Sequence, residues 1–294
     1  MAILMLILMN IAVMASIYFS IFLIELIFHI RIDPQSVTGL AILAVIIGFS
    51  GSIISLLLSK WMAKMSMGVR VIETPATEAE KWLLETTYKL ADKAGIPRPE
   101  VGIFDGPPNA FATGPSKSNS LVAVSTSLFD LMDLKEIEGV IAHEINHIKS
   151  GDMITMTLVQ GVLNSLVFFV SRLIANIIAP KDEEGNPNPF AYMAISFALE
   201  IVLSIFATMI AMWFSRYREY KADAGAVKID GPYGIYYALA KLGNIPKEQV
   251  ALPPEMKAFG IVGFISELFS SHPPIPKRLE NIKKVARELG YNIK

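Results

Sequence analysis

The residues with the clearest chemical potential form the segment His143-Glu144-Ile145-Asn146-His147, which matches the pattern H-E-x-x-H. In a helix, positions i and i+4 project from one face, so both imidazoles can reach one ion. Zinc suits neutral imidazole, and three protein ligands leave a position for water. Glu144 can accept a proton from water that the ion activates and pass it to a departing amine. The segment therefore predicts zinc-dependent peptide hydrolysis, against the simpler interpretation of a surface helix with solvated histidines.

The composition restricts what can complete such a site. The chain of 294 residues has no cysteine and 4 histidines, which excludes thiolate zinc sites, iron–sulfur clusters, disulfides and cysteine nucleophiles. Glu219 and Asp223 lie at i and i+4 on a predicted helix, where Glu219 could bind the ion and Asp223 behind it could accept an imidazole N–H. Basic residues at positions 216, 218 and 221 surround them. A solvated surface helix explains this spacing equally well.

The charged residues are unevenly distributed. They make up 18% of the chain, against about 25% in a typical soluble domain. Residues 1–59 contain three of them and residues 153–214 contain six. This pattern indicates membrane hairpins attached to a water-soluble body. The net charge of −1 gives no electrostatic reason to expect a nucleic-acid partner.

Four apolar segments are long enough to cross the ~30 Å hydrocarbon core of a bilayer: residues 3–28, 40–58, 153–179 and 190–213. The first lacks a basic start and is too long for a cleaved signal peptide, so we interpret it as a retained anchor. The last two could be buried helices of a soluble core, but their length and all-round apolarity favour spans. Basic residues flank the soluble body rather than the hairpin loops, which predicts a cytoplasmic body and external loops.

Three ionic residues lie within or near the predicted spans. Glu25 and Arg172 are close enough to the outer ends for their charges to reach the membrane surface. Glu200 lies deeper. Its carboxyl group could be protonated, paired with a polar neighbour or exposed to a water-filled cavity, and the sequence leaves these alternatives open.

The soluble body is predicted to be an α+β fold. A capping box at residues 77–80 begins a helix that ends at Gly95, and a similar signal at residues 133–136 begins the H-E-x-x-H helix, which Gly151 ends. Short strands are predicted at residues 100–104, 110–113 and 120–125, and later helices at 216–227, 232–242 and 276–289. The predicted organisation is a hairpin at 1–59, a body formed by 60–152 and 215–294, and a second hairpin at 153–214.

Several motifs together resemble the HtpX family of membrane zinc metalloproteases, which are relatives of the CAAX prenyl proteases. They are the H-E-x-x-H pattern before a hydrophobic hairpin, the segment 215–226, the stretch 108–124 and the stretch 271–278. The resemblance covers nearly the whole chain. It implies a mostly helical, zincin-like metallopeptidase body with four transmembrane helices in two hairpins.

The resemblance also implies roles for individual residues. His143, His147 and Glu219 would bind one zinc ion per subunit, with Glu144 as the catalytic base. The segment 109–113 is similar to the family's edge strand, which would hold a peptide by β-augmentation through Asn109, Ala110 and Phe111. Two later residues are less specific. His272 could stabilise the oxyanion or the substrate backbone, or could be a turn histidine before two prolines, and Arg278 could form a structural ion pair.

The sequence thus predicts a plasma-membrane zinc endopeptidase with a cytosolic site, which cuts cytosolic segments of misfolded or regulatory membrane proteins in quality control. Its expected partners are unfolded or membrane protein substrates and the lipid bilayer. One alternative is a CAAX-type protease of prenylated tails, although those relatives usually carry more spans enclosing a chamber. Another is a non-enzymatic transporter or membrane scaffold, with Glu200 and Arg172 along a polar path. That alternative leaves the histidine pattern unexplained.

Overall fold

The computed structural model describes residues 2–183, 185, 187–243 and 270–293. The helices are α1 Ala2–Phe28, α2 Val37–Met67, α3 Glu78–Ala94, α4 Thr126–Leu131, α5 Leu134–Ser150, α6 Asp152–Ile178, α7 Pro189–Asp230, α8 Pro232–Gly243 and α9 Ile275–Glu288. The strands are β1 Arg70–Val71, β2 Glu100–Phe104, β3 Ala110–Ser116 and β4 Asn119–Ser125. The chain forms two compact units: a membrane unit, Met1–Leu57 with Thr155–Ala211, and a sheet unit, Leu58–Ile154 with Met212–Lys294.

The four predicted spans are confirmed as helices long and apolar enough to cross a membrane: α1, α2, α6 and α7. Within the membrane unit, α2 and α6 approach closely through small residues. A Cβ atom added at Gly48 would lie 2.2 Å from Ser165 Oγ, and one at Gly161 would lie 2.5 Å from the Phe49 ring. Small residues allow such approach where no hydrophobic driving force exists between helices.

The ionic residues of the membrane unit differ in part from expectation. Arg172 was expected to extend to the membrane surface, but its guanidinium pairs with Glu200 and lies 3.9 Å from the Phe168 ring centroid. Of the alternatives left open for Glu200, the structure shows a paired carboxylate, and an opposite charge compensates a carboxylate in hydrocarbon. Glu25 accepts a hydrogen bond from the Ile32 amide at 3.0 Å.

The sheet unit contains a four-stranded sheet of order β1-β2-β4-β3. Strands β2 and β4 are parallel, and the other two pairs are antiparallel. The predicted strand at 100–104 is confirmed, the strand predicted at 110–113 extends to Ser116, and the one predicted at 120–125 begins one residue earlier, at Asn119. The sequence did not predict β1 or α4. Strand β1 has only two residues, which pair with Gly102 and Ile103, so its conformation depends on a tertiary contact rather than on local pattern.

Helix α5 is fixed at both ends as predicted. Asp133 and Glu136 form a capping box, and Gly151 ends the helix in the left-handed conformation with φ 69°. The isoleucines at positions 137, 141, 145 and 148 are fully buried, and each contributes about 1.5–3 kcal/mol by leaving water. A Cβ atom added at Gly139 would lie 2.1 Å from the Ile235 backbone of α8. These contacts hold the H-E-x-x-H helix in one position.

Helix α3 forms only half of the predicted capping box. The Thr77 side chain accepts a hydrogen bond from the Glu80 amide at 3.2 Å, as expected. The Glu80 carboxylate, however, accepts a hydrogen bond from Ala76 N at 2.7 Å and pairs with Arg70, rather than turning back to Thr77. The reciprocal bond is replaced because a cation from β1 lies within reach of the carboxylate.

Candidate metal centre

Helices α5 and α7 bring three potential metal ligands together. The Nε2 atoms of His143 and His147 lie 3.1 Å apart. Glu219 Oε1 lies 3.3 Å from His147 Nε2, and Glu219 Oε2 lies 3.6 Å from His143 Nε2. His143 and Glu219 are buried, and His147 is nearly so. The fold thus brings Glu219 next to two histidines of α5, although Glu219 lies 72 positions after His147 in the chain.

The geometry of these three residues fits a metal ion. Ligand atoms at about 2.0–2.1 Å from a tetrahedral zinc ion lie roughly 3.3 Å from one another. The three observed separations, 3.1, 3.3 and 3.6 Å, surround this value. Two imidazole nitrogens and one carboxylate oxygen are also a donor set used by catalytic zinc sites. His143, His147 and Glu219 are therefore positioned to bind a metal ion.

A second carboxylate lies behind each histidine. Asp152, the first residue of α6, lies 2.6 Å from His147 Nδ1. Asp223, one turn beyond Glu219 on α7, lies 3.0 Å from His143 Nδ1. Such carboxylates fix the tautomer and orientation of an imidazole and raise its basicity. Each ring therefore has Nδ1 within 3.0 Å of a carboxylate oxygen and Nε2 on the side of Glu219, where an ion would bind.

Arg278 of α9 contacts both carboxylates of α7, those of Asp223 and Glu219. Its Nε and Nη2 donate to the two oxygens of Asp223 at 2.9 and 2.7 Å, and its Nη1 lies 3.3 Å from Glu219 Oε2. Arg278 and Asp223 are both buried. A planar guanidinium is suited to this two-point contact. Arg278 therefore belongs to the centre, where the sequence suggested only a structural ion pair.

His272 also reaches the centre, from the segment before α9. Its Nδ1 lies 2.8 Å from Glu219 Oε2, while 64% of its side chain is exposed. The segment is held by Arg216, which donates to the Ser270 carbonyl at 2.9 Å. Glu219 thus faces three imidazoles and one guanidinium, and the exposed part of the His272 ring faces outward.

When no cation is bound, the contacts within the centre lower the pKa of Glu219 and Asp223 and raise the pKa of His143 and His147. Burial raises the pKa of Glu219, but hydrogen bonds with His143, His147 and His272 outweigh burial and hold that pKa far below its usual range. Burial also opposes protonation of His147, yet Asp152 and Glu219 raise its pKa to about 10. Protons and a metal ion therefore compete for the same imidazole nitrogens.

Glu144 lies next to this arrangement without belonging to the ligand triangle. It follows His143 on α5 and is half-buried. Burial and the hydrogen bonds with Asp152 and Glu219 have the largest effects on the pKa of His147. The charge of Glu144 raises that pKa further. A carboxylate in this place, beside the ligands and accessible to water, can exchange protons with a reacting group.

The segment 109–113 lies at an edge of the sheet. The Ser125 amide donates to the Asn109 carbonyl at 2.9 Å, and Ala110 and Phe111 lie opposite Val124 and Ala123. Because hydrogen-bonded and non-bonded pairs alternate in antiparallel strands, the backbone groups of Ala110 face the open edge. The Phe111 ring contacts Phe104, with centroids 5.6 Å apart. Its side chain is therefore engaged in packing.

Sequence reasoning did not identify Asp152 or the interhelical contact at Asn146. Asp152 had a usable signal, since an acidic residue begins the helix directly after the H-E-x-x-H helix. The Asn146 amide donates to the Lys221 carbonyl at 3.3 Å, and a Cβ atom at Gly225 would lie 2.0 Å from Asn146 Oδ1. This close approach of α5 and α7 brings Glu219 near the histidines.

The comparisons with known proteins agree with this site. The model of peptidase family M48 matches residues 77–286. Protease HtpX of Shewanella loihica is 49% identical over 260 residues, covering 86% of this chain and 90% of that protein. Protease HtpX of Histophilus somni is also 49% identical, over 258 residues, covering 86% and 89%.

A solved structure shares the fold. The crystal structure of S. mikatae Ste24p superposes with a TM-score of 0.60 at 19% identity, covering 91% of this chain. This chain spans 62% of the length of that one. The fold and the site thus define a membrane-bound metalloprotease of peptidase family M48. Within that class, the chain belongs to the HtpX family.

Proposed function

We propose that this protein is a zinc-dependent endopeptidase of the plasma membrane that cleaves cytosolic segments of misfolded or regulatory membrane proteins. The observation that carries the proposal is the convergence of His143, His147 and Glu219 within 3.1–3.6 Å, with Glu144 beside them. The membrane-spanning helices support a membrane setting for the substrates. The basic flanks of the spans support a cytoplasmic site by the positive-inside rule.

Zinc is the proposed ion, one per subunit. It binds two imidazoles and a carboxylate readily in four-coordinate geometry, and the observed separations suit its bond lengths. Magnesium and calcium prefer all-oxygen sites, which this centre does not offer. The relatives' name, protease HtpX, also favours this activity over a protease of prenylated tails.

The chemistry follows from where the side chains lie. A bound cation lowers the pKa of water and polarises a peptide carbonyl. Glu144 would accept the proton of the attacking water and deliver it to the leaving amine. Asp152 and Asp223 would hold the two imidazoles in the tautomer that directs Nε2 to the ion. Arg278 would keep Asp223 ionised while it does so.

The open edge of β3 is the proposed place for the substrate backbone. Ala110 directs its backbone N–H and C=O away from β4, so an extended peptide could pair there as an added strand. Asn109 is fixed by Ser125, which donates to its carbonyl and whose hydroxyl accepts from its amide at 2.9 Å. His272 is oriented by Glu219, and its remaining ring nitrogen would stabilise the oxyanion or the peptide backbone.

The test compares Glu144→Gln with the wild-type protein. The variant should bind zinc at the same stoichiometry but cleave an unfolded reporter at least about 100-fold more slowly, because general base catalysis contributes 10²- to 10⁴-fold. Glu85→Gln, at an exposed position of α3, is the control and should retain full activity. Equal cleavage by Glu144→Gln and the wild type, or wild-type activity that persists after a chelator removes all zinc, would overturn the proposal.

A further inference from the structure

The membrane unit contains a polar cleft lined by α2, α6 and α7. It consists of two adjoining cavities of about 360 and 270 Å³, and both are lined by Gln160 and Asn164 of α6. The first also includes Gly51, Ser52, Ser55 and Thr157, and the second includes Gly48, Glu200, Ser204 and Thr208. We define the polar cleft by these ten residues, and apolar side chains complete its walls: Ile47, Met156, Val167, Phe168 and Ala207.

The lining follows from helical spacing. On α7, Glu200, Ser204 and Thr208 recur every four residues and therefore share one face. On α6, Gln160 and Asn164 are likewise one turn apart, and both are exposed. The facing part of α2 is lined by small residues. Polar side chains on two helices thus border a space that the third helix leaves open.

The amides of the cleft are the groups with unused hydrogen-bonding capacity. Gln160 Nε2 donates to Asn164 Oδ1 at 2.8 Å. Within the part of the chain that the structure describes, that bond leaves the Asn164 amino group and the Gln160 carbonyl oxygen available. The hydroxyls of Ser204 and Thr208 donate to carbonyls of their own helix, and Glu200 is neutralised by Arg172.

The depth of the amides limits what can occupy the cleft. Asn164 lies near the middle of α6, so in a bilayer it would be far from both headgroup regions. Acyl chains offer no hydrogen bonds, and an exposed amide in hydrocarbon is costly. A fitting occupant therefore lies within the bilayer and carries polar groups at mid-depth. A transmembrane helix with an amide or hydroxyl side chain meets both conditions.

We propose that the polar cleft docks substrates by hydrogen bonding to polar side chains within their transmembrane helices. The proposal rests on the proposed protease function and names its substrate class: membrane proteins whose spans carry an amide or hydroxyl that is not packed against a partner helix. The polar part of the lining offers both donors and acceptors, and its carboxylate, Glu200, is already paired with Arg172, so it suits amides and hydroxyls rather than a charged group. The protease would then select a substrate by its transmembrane helix and cleave it in a segment outside the bilayer.

The first experiment uses three reporters with the same unfolded cleavable segment. One is soluble, one is anchored by an all-leucine helix, and one is anchored by the same helix with asparagine at its centre. In phosphatidylethanolamine–phosphatidylglycerol vesicles, the wild type should cleave the asparagine-anchored reporter about threefold faster than the all-leucine one, because an interhelical hydrogen bond in a membrane protein has an effect of this order on average. Equal rates for the two anchored reporters would overturn the proposal.

The protease variants then localise the effect. The double variant Gln160→Leu with Asn164→Leu should abolish the preference for the asparagine helix while cleaving the soluble reporter at the wild-type rate. Val162→Leu, at an exposed position of α6 outside the cleft lining, should retain the preference. A preference that survives the double variant would overturn the proposal. Failure of the wild type to cleave even the soluble reporter would instead overturn the proposed protease function.

Cross-linking tests docking without any cleavage. Because the chain has no cysteine, Asn164→Cys supplies a single thiol, and adding Glu144→Gln keeps the substrate intact. Oxidation should link this thiol to a cysteine at the centre of the reporter helix, whereas Val162→Cys should give much less product. A disulfide between two protease chains in place of the reporter adduct would overturn the proposal, since the cleft would then be an interface between copies.

Discussion

The metal centre and the polar cleft both place polar side chains away from bulk water, but they compensate for this in different ways. In the centre, the chain itself supplies the partners: Glu219 faces three imidazoles and Arg278, and Asp223 accepts two bonds from the same guanidinium. In the cleft, Gln160 and Asn164 bond to each other and leave further donors and acceptors available among the described residues.

The difference shows how each region relates to function. Buried charges are tolerated only when they are paired, so the pairs of the centre maintain both the fold and the ligand geometry. An amide with unused capacity contributes little to the fold and leaves affinity available for another molecule. Substitutions should therefore damage stability in the centre and selectivity in the cleft.

The largest expected effect on stability is at Asp223. Asp223→Asn removes the carboxylate that accepts two hydrogen bonds from the buried Arg278 guanidinium, leaving that guanidinium only its longer contact with Glu219, and it removes the carboxylate behind His143. The free energy of unfolding should fall by about 3–5 kcal/mol, and zinc affinity should fall by about 10- to 100-fold. Denaturant unfolding in detergent and competition with a zinc chelator measure the two effects.

An exposed pair in the same unit provides the matched control. Arg98 also donates to both oxygens of an aspartate, Asp92, at 3.1 and 2.7 Å, but both side chains are more than half exposed. Asp92→Asn should therefore change neither stability nor zinc affinity measurably. If the two variants behaved alike, burial would not be what makes the metal-centre pair important.

An intermediate effect is expected from pH. In the cation-free centre the pKa of His147 is raised to about 10, so this imidazole carries a proton throughout pH 6–8 and a metal ion must displace it. Zinc affinity should rise about tenfold per pH unit for each proton released over this range. Asp152→Asn should have a shallower slope, because His147 loses a carboxylate that holds its proton. An affinity that is independent of pH would contradict this electrostatic description.

The smallest stability effect is expected in the cleft. Gln160→Leu with Asn164→Leu removes one hydrogen bond, which in a membrane protein contributes about 0.6 kcal/mol on average. The free energy of unfolding in detergent should therefore change by less than about 1 kcal/mol. A loss comparable to that of Asp223→Asn would mean that the amides hold the membrane helices together rather than remaining available to a partner.

Local pattern predicted those elements whose ends and faces are set by nearby residues. The capping box at Asp133, the left-handed Gly151 and the apolar stripe of α5 all act within a few positions, and they placed the H-E-x-x-H helix correctly. The four spans were found for the same reason, because hydrophobic length is a local property. Strand β1 and half of the Thr77 capping box were not predicted correctly, since distant partners decide both.

Local sequence pattern did not predict which charged residues would pair with each other. Arg278 and Asp223 are 55 positions apart, and Arg172 and Glu200 are 28 positions apart. In both cases the sequence showed the charges but not the pairing, because only the packing of separate helices brings them within reach. The register of Glu219 was likewise undecided by spacing, and the family resemblance indicated its role.

The ion pair between Arg278 and Asp223 has a consequence for biosynthesis. Its arginine lies on α9, which follows all the other described elements along the chain. A growing polypeptide thus contains both histidines and Glu219 well before the guanidinium that steadies Asp223 has been translated. This arrangement of the metal centre is complete only after residue 278 has left the ribosome, when all four candidate membrane helices have already been made.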